Sequence, residues 1–250
     1  MTIASLAMYP YSHLRSAFDQ LWDGVRSKLS LAAPPLDWVL DPLRACRRDD
    51  LLLGHTCGWP LITELASTVR VVGTFDHDVE GASDGTYCSV LVTTDQHESL
   101  DNILRRPDLV LAANSVDSLS GWISLRSVAA THGVRLDERP ETVQWSGSHA
   151  ASVDAVRRRS AHLASIDAVS WAHLDGSGLS VVGHGPRVPC LPLVTSGSST
   201  DLALDELRAA LTATVRDPAM AGANATLKIR DFLVRDLADY EGLPALAELG

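Results

Sequence analysis

Two short polar turns hold the residues of this chain best suited to chemistry. The first, Asn114-Ser-Val-Asp-Ser-Leu-Ser-Gly121, carries Ser118, Ser120 and Gly121. The second, Trp145-Ser-Gly-Ser-His149, carries Ser148 and His149. Each stands between an apolar, strand-like run and a helix-like run: residues 109–113 lead into the first turn, and the second opens onto residues 150–156. A helix start carries unpaired backbone N–H groups and about half a positive charge. Two such starts with hydroxyls beside them suit an anion with several oxygens. The plainer reading is that Ser118 and Ser120 only cap their helix, which needs no ligand.

Other chemistries fit less well. His149 beside Ser148, with Asp167 as third member, suggests a hydrolase triad. No G-x-S-x-G elbow is present and Ser148 is adjacent in sequence to His149, so no catalytic residue is assigned. The nine histidines form no H-x-x-x-H pattern. Cys46, Cys57, Cys88 and Cys190 show neither metal-ligand spacing nor a dense disulfide framework. Asp76-His-Asp-Val-Glu-Gly81 resembles half of a calcium loop, but Tyr87 stands where the bidentate Glu would be. No metal and no cofactor are expected. The net charge of -10 argues against nucleic acid, and the Arg157-Arg-Arg159 triplet reads as a solvated helix end.

The elements that position these turns alternate between strand and helix. Residues 2–8 read as a first buried strand, and Leu14, Phe18, Leu21, Val25 and Leu29 share one helical face. Strands follow at 50–54 and 69–72 with a helix at 60–67 between them. A Gly/Asp loop covers 76–86 and a strand 87–94. A second βα series runs from 109 to 166, with helices at 120–131 and 148–159. Residues 183–192, rich in Pro and Gly, read as a linker, and the last fifty residues return to helix. This rhythm predicts an α/β fold with mostly parallel sheets flanked by helices. The expected division places lobe 1 at residues 1–88 and 190–250 and an inserted lobe 2 at 89–189. Hinge strands are expected near 89–92 and 183–192, with a cleft between the lobes. Tyr9, Tyr11 and Trp59 each follow a first-lobe strand, where ligands of open α/β sheets gather. No run approaches the ~20 apolar residues of a membrane span, and the sequence opens directly into a strand. The expected compartment is therefore the cytoplasm, or the periplasm if a signal peptide precedes it.

Several of these segments, taken in order, resemble the phosphate/phosphonate-binding proteins of ABC importers. They are Met8-Tyr-Pro10, Leu51-Leu-Leu-Gly-His-Thr-Cys-Gly-Trp-Pro-Leu61, Tyr87-Cys-Ser89, Asn114 to Gly121, Ser146-Gly-Ser-His149 with Ser152, and Ile166-Asp167. The resemblance covers roughly residues 5 to 195 and is nearest to a compact branch, often without a signal peptide. It implies a two-lobed type II periplasmic-binding-protein fold. It implies an oxyanion headgroup at the Ser118/Ser120 helix start, with His149 at the second start. It also places Tyr87 and Asp167 toward the ligand, Asp167 matching a carboxylate that meets a ligand amine. The chain departs from the family pattern at Arg159-Ser-Ala-His162, where Gly-x-Ala-Asp is common, and at Trp59, where Tyr is common. The implied function is a solute-binding protein for a phosphate- or phosphonate-like anion, with an ABC permease as partner only if exported. The alternative is a cytoplasmic enzyme on the same scaffold, of lyase or cofactor-precursor type.

Overall fold

The computed structural model describes residues 2–249. In chain order the main elements begin with β1 (Ile3–Ser5), α1 (Arg15–Arg26), β2 (Leu51–His55), β3 (Val69–His77), β4 (Ser89–Thr93) and β5 (Leu111–Ala113). A π-turn, Leu119–Ile123, runs into α2 (Ser124–Thr131). Then come β6 (Val143–Trp145), α3 (His149–Arg157), β7 (Leu163–Asp167), α4 (Ala168–Trp171), β8 (Ser180–His184) and β9 (Pro192–Ser196). The chain closes with α5 (Asp201–Val215), α6 (Ala221–Leu227), β10 (Ile229–Leu233) and α7 (Pro244–Leu249).

The chain forms two compact units. The first comprises residues up to 78, 83–85 and 189–241; the second comprises 79–82, 86–188 and the residues from 242. The first unit is built on a five-stranded sheet of order β1-β2-β9-β3-β10. In this unit α1 packs against α5 and α6 and buries Phe18, Leu21, Trp22 and Val25, each 2% exposed or less. Full burial of one such side chain is worth about 1.5–3 kcal/mol. The Trp22 indole N–H is satisfied by the Pro34 carbonyl at 2.7 Å. Tyr240 donates to the Cys190 carbonyl at 2.9 Å, so its buried hydroxyl is also paired.

The second unit is built on a sheet of order β8-β4-β7-β5-β6. β5 runs parallel to both β6 and β7, whereas β4 is antiparallel to β7 and β8. Ala112, Ala164, Val90, Val92 and Ile166 of these strands meet Val153 and Val156 of α3 in one apolar cluster.

The α/β class is as the alternation predicts, but both sheets are mixed rather than mostly parallel. The returning strand β9 enters antiparallel between β2 and β3, and β10 adds antiparallel to β3. Both strands lie where linker or helix is expected. β9 starts at a proline, and its five residues are all buried, so it has no polar alternation to betray it. β3 extends to His77, taking Asp76 and His77 out of the expected loop. The C-terminal residues from 242 group with the second unit, not the first, because α7 packs against α2.

Gly73 marks the tightest approach in the first sheet. A Cβ there would run into the Leu233 carbonyl and the Phe232 ring of β10. Gly73→Ala is expected to cost about 1–3 kcal/mol by prising β3 from β10. Gly222→Ala, in α6 with nothing near its added Cβ, should instead gain up to ~1 kcal/mol of helix propensity. Urea unfolding checks both: the midpoint should fall for the first and rise for the second.

Candidate functional site

The two polar turns are neighbours in the second unit because β5 and β6 lie side by side. Ala113 pairs with Trp145 at the ends of these parallel strands. Beyond them, Ser146 N–H donates to the Ala113 carbonyl at 2.9 Å and Gly147 N–H to the Asn114 carbonyl at 3.0 Å. The second turn is thus laid directly against the start of the first.

At the first turn, the Ser118 hydroxyl oxygen accepts the Gly121 N–H at 3.0 Å, a helix cap. The Ser118 carbonyl accepts from Trp122 at 3.1 Å and from Ile123 at 3.0 Å, which opens the first turn to π geometry. Ser118, Ser120 and Gly121 are all buried. The Ser120 carbonyl receives two hydroxyls, Ser89 at 3.0 Å and Ser165 at 2.6 Å. Gly121 is required by the Asn114 side chain, whose Oδ1 occupies the place a Cβ would take. That Oδ1 is buried with no hydrogen-bond partner among the described residues.

At the second turn, Ser148 is the N-cap of α3 and accepts the Ala151 N–H at 3.1 Å. Ser146 and Ser152 hydroxyls meet at 2.6 Å. His149, the first residue of α3, reaches back so that its Nε2 lies 3.0 Å from the Ser120 hydroxyl. Its Nδ1 is buried with no partner among the described residues. Burial pushes the imidazole down from 6.5 to about 4, so it is neutral near pH 7. A neutral ring carries one N–H. With that proton on Nε2, His149 donates to Ser120 and leaves the Ser120 O–H to donate onward. With it on Nδ1, the ring itself presents a donor. The turns are also joined by their aromatic flanks: Trp122 and Trp145 meet edge to face at 5.3 Å, and the Arg126 guanidinium lies 5.8 Å from the Trp122 ring.

Ser118, Ser120, Gly121, Ser148 and His149 are therefore brought together. Ser118 and Ser148 act as caps, yet a capping serine accepts through its oxygen and keeps its O–H to donate. Asp167 joins this group through the sheet. It pairs with Ser89, the residue that holds the Ser120 carbonyl, and its Oδ1 accepts the Ser170 N–H at 2.8 Å to cap α4. Tyr87 belongs to the same unit and is 1% exposed.

Tyr9 and Trp59 belong to the first unit. Trp59 is partly buried in the helical turn after β2. Tyr9 is buried edge-on to His55 and His77, with ring centroids at 5.6 and 6.0 Å, and Phe75 closes the same cluster. Burial, then the neighbouring His77, pushes His55 down to about 3 against a hydrogen bond with the Leu191 carbonyl. Spacing alone does not single out Ser165, His55 or His77. The usable signal is a polar residue inside an apolar strand, which must find a buried partner.

Among the described residues, no three His, Cys, Asp or Glu side chains group as metal ligands, and no helix is long and apolar enough to cross a membrane.

The fold is that of type II periplasmic binding proteins. A binding-protein component of an ABC phosphonate transporter from Pseudomonas aeruginosa is similar over 96% of this chain and 82% of its own, with TM-score 0.72 and 16% identity. PhnD1 of Prochlorococcus marinus, solved with methylphosphonate, is similar over 93% of both chains, with TM-score 0.69 and 16% identity. XAC2383 from Xanthomonas citri, bound to ATP, covers 94% of both chains with TM-score 0.65 and 15% identity. No curated protein sequence matches the chain. The family described as "ABC transporter, phosphonate, periplasmic substrate-binding protein" matches residues 48–240, and the chain belongs to it. Membership implies a small ligand and an ABC permease as partner. Nothing in these likenesses favours the enzyme alternative. The family is described as periplasmic, so the cytoplasmic expectation, drawn from where the sequence begins, has no support from it.

His149 and His55 both have depressed folded values, so the unfolded chain binds their protons first. Stability from these two groups is complete above pH 6.5 and is lost as pH falls toward 4 and 3. Between pH 6.5 and 5 ordinary carboxylates remain ionised, so the slope there reports mainly histidines. It should reach roughly 1–3 kcal/mol per pH unit. Urea titrations at half-unit pH steps should show this slope, reduced by about half in His149→Gln.

Proposed function

We propose that the chain is the solute-binding component of a phosphonate-type ABC importer and that its second unit anchors a phosphate- or phosphonate-like oxyanion. The anchor is the pair of helix starts at Ser118–Gly121 and Ser148–His149. The observation that carries this reading is the 3.0 Å contact between the Ser120 hydroxyl and His149 Nε2. It joins the two starts into one donor surface, with an unpartnered Asn114 Oδ1 and His149 Nδ1 behind it. Unpaired buried polar atoms are costly, about 1–3 kcal/mol each, and a ligand with several oxygens and an exchangeable proton would relieve that cost.

Among the described residues, no Lys or Arg side chain hydrogen-bonds to Ser118, Ser120 or Ser148. An oxyanion would be held by hydroxyls, backbone N–H groups and helix dipoles, which stabilise negative charge without a fixed counter-charge. Three or four charge-assisted hydrogen bonds of about 1.5–3 kcal/mol each suffice for the ~8 kcal/mol of a micromolar complex. Tyr87 and Asp167 are proposed ligand neighbours through the family resemblance, and Asp167 would meet an amine if the ligand carries one. Tyr9 and Trp59 keep the same standing. The family's periplasmic description supports an exported protein delivering to a permease.

Methylphosphonate and inorganic phosphate should each raise the melting temperature through mass action, by an increment that grows with ligand concentration. The double variant Ser120→Ala/His149→Ala should lose at least 90% of that increment while folding normally by circular dichroism. A double variant that responds like the wild type would place the anion elsewhere.

A further inference from the structure

At the other end of the second sheet lies a recess of about 760 Å³, lined by the Thr93 end of β4 and the segment 94–98 that follows it, by residues between α3 and β7, and by the start of β8. Ala161 and His162 precede β7, whereas the helix starts described above lie at its Asp167 end. The strand from Leu163 to Asp167 separates the two by four residue steps, roughly 13 Å.

Arg159 is the unusual residue of this recess. It stands at φ 60°, the left-handed conformation that ends α3, with its N–H bonded to the Val156 carbonyl and the Ser160 N–H to the Ala155 carbonyl. Glycine commonly fills that place, and a side chain there costs of order 1 kcal/mol. The guanidinium has no hydrogen-bond or ion-pair partner among the described residues. Every other arginine of this unit does have one. Arg157 and Arg158 bind Asp154, Arg105 binds Asp101, and Arg126 and Arg135 share Asp137. Arg139 donates to two carbonyls and Arg187 to Thr86.

The rest of the lining decides what the free guanidinium would meet. Glu98 is neutralised by Arg106 through two bonds of 3.0 and 2.7 Å. His162 Nδ1 accepts the Val110 N–H at 2.9 Å, which in a neutral ring puts the proton on Nε2, where the Asp108 carboxylate already stands 3.9 Å away. Asp95 accepts the His97 N–H through Oδ1, and Thr93 and Ser180 add hydroxyls. The carboxyl end of α3 by itself would repel an anion, and Arg159, which has no partner there, offsets it. The set is one exposed guanidinium without a protein partner, one ring donor shared with Asp108, and one carboxylate acceptor among hydroxyls.

We propose that this recess is a second ligand site, for a small hydroxylated organic acid. Its carboxylate forks onto Arg159 with His162 as second donor, and its hydroxyl donates to Asp95. The site is separate from the oxyanion anchor and does not depend on it.

Tartrate, with succinate as the same skeleton lacking hydroxyls, tests the assignment in amide-resolved NMR titrations. Tartrate should shift the amides of residues 93–98, 159–162 and 178–180, and bind about fivefold or more tighter than succinate, the value of one net hydrogen bond. The response should persist in Ser120→Ala/His149→Ala and vanish in Arg159→Gly. Arg159→Gly should melt a few degrees higher than wild type in acid-free buffer, since glycine takes that backbone without strain, so loss of binding cannot be laid to misfolding. Silence of these amides at tens of millimolar tartrate overturns the proposal. So does an undiminished response in Arg159→Gly, or equal binding of tartrate and succinate.

Discussion

The backbone of Ser120 is the fixed point of the second unit. Its carbonyl receives hydroxyls from both Ser89 and Ser165, on two adjacent antiparallel strands. Ser89 pairs with Asp167, and Ser165 lies two residues before Asp167, so all three project from one face of the sheet. The π-turn rests on that face. Because Ser120 is pinned there, its hydroxyl stands where His149 can reach it from the other helix start. Loosening either serine would cost more than one hydrogen bond, since it would uncouple the helix start from the sheet that aims it.

Under the proposed reading, this construction would let an acidic protein hold an anion. The named donors are hydroxyls, N–H groups and an imidazole kept neutral by burial, so selectivity comes from geometry rather than from net charge. It also explains the polar atoms left without partners. Asn114 Oδ1 and His149 Nδ1 sit in a buried layer where an unmatched group is normally removed by selection, and both flank the two helix starts. Such local inconsistency is expected at functional sites and costly elsewhere.

The two helix starts of the candidate site were legible in the sequence because helix starts are local. Of the two serines read as caps in the first turn, Ser118 is one and Ser120 is not, its hydroxyl meeting His149 instead, while the cap of the second start is Ser148. The family order of short motifs extended the reading to Asp167 and Tyr87. What stayed hidden was long-range. β9 and β10 are buried or short strands whose partners lie more than a hundred residues away, so periodicity gave them no mark. Ser165 sits inside an apolar strand, and only the fold reveals that its partner is a carbonyl forty-five residues earlier. The Arg157-Arg-Arg159 triplet read as one solvated cluster. In three dimensions its members divide, two paired with Asp154 and the third turned out of the helix by a left-handed residue.

The central claim is that an oxyanion settles against His149 and Ser120. The most direct test is the ring nitrogen NMR signature of His149 titrated with pH, with and without saturating methylphosphonate. A bound anion must raise the imidazole's proton affinity, because it favours the charged ring that burial alone disfavours. The account predicts a His149 midpoint near 4 in the free protein and a clear upward displacement, by about one unit or more, in the complex. A His149 titration curve that is identical with and without ligand, while methylphosphonate is demonstrably bound, would contradict it.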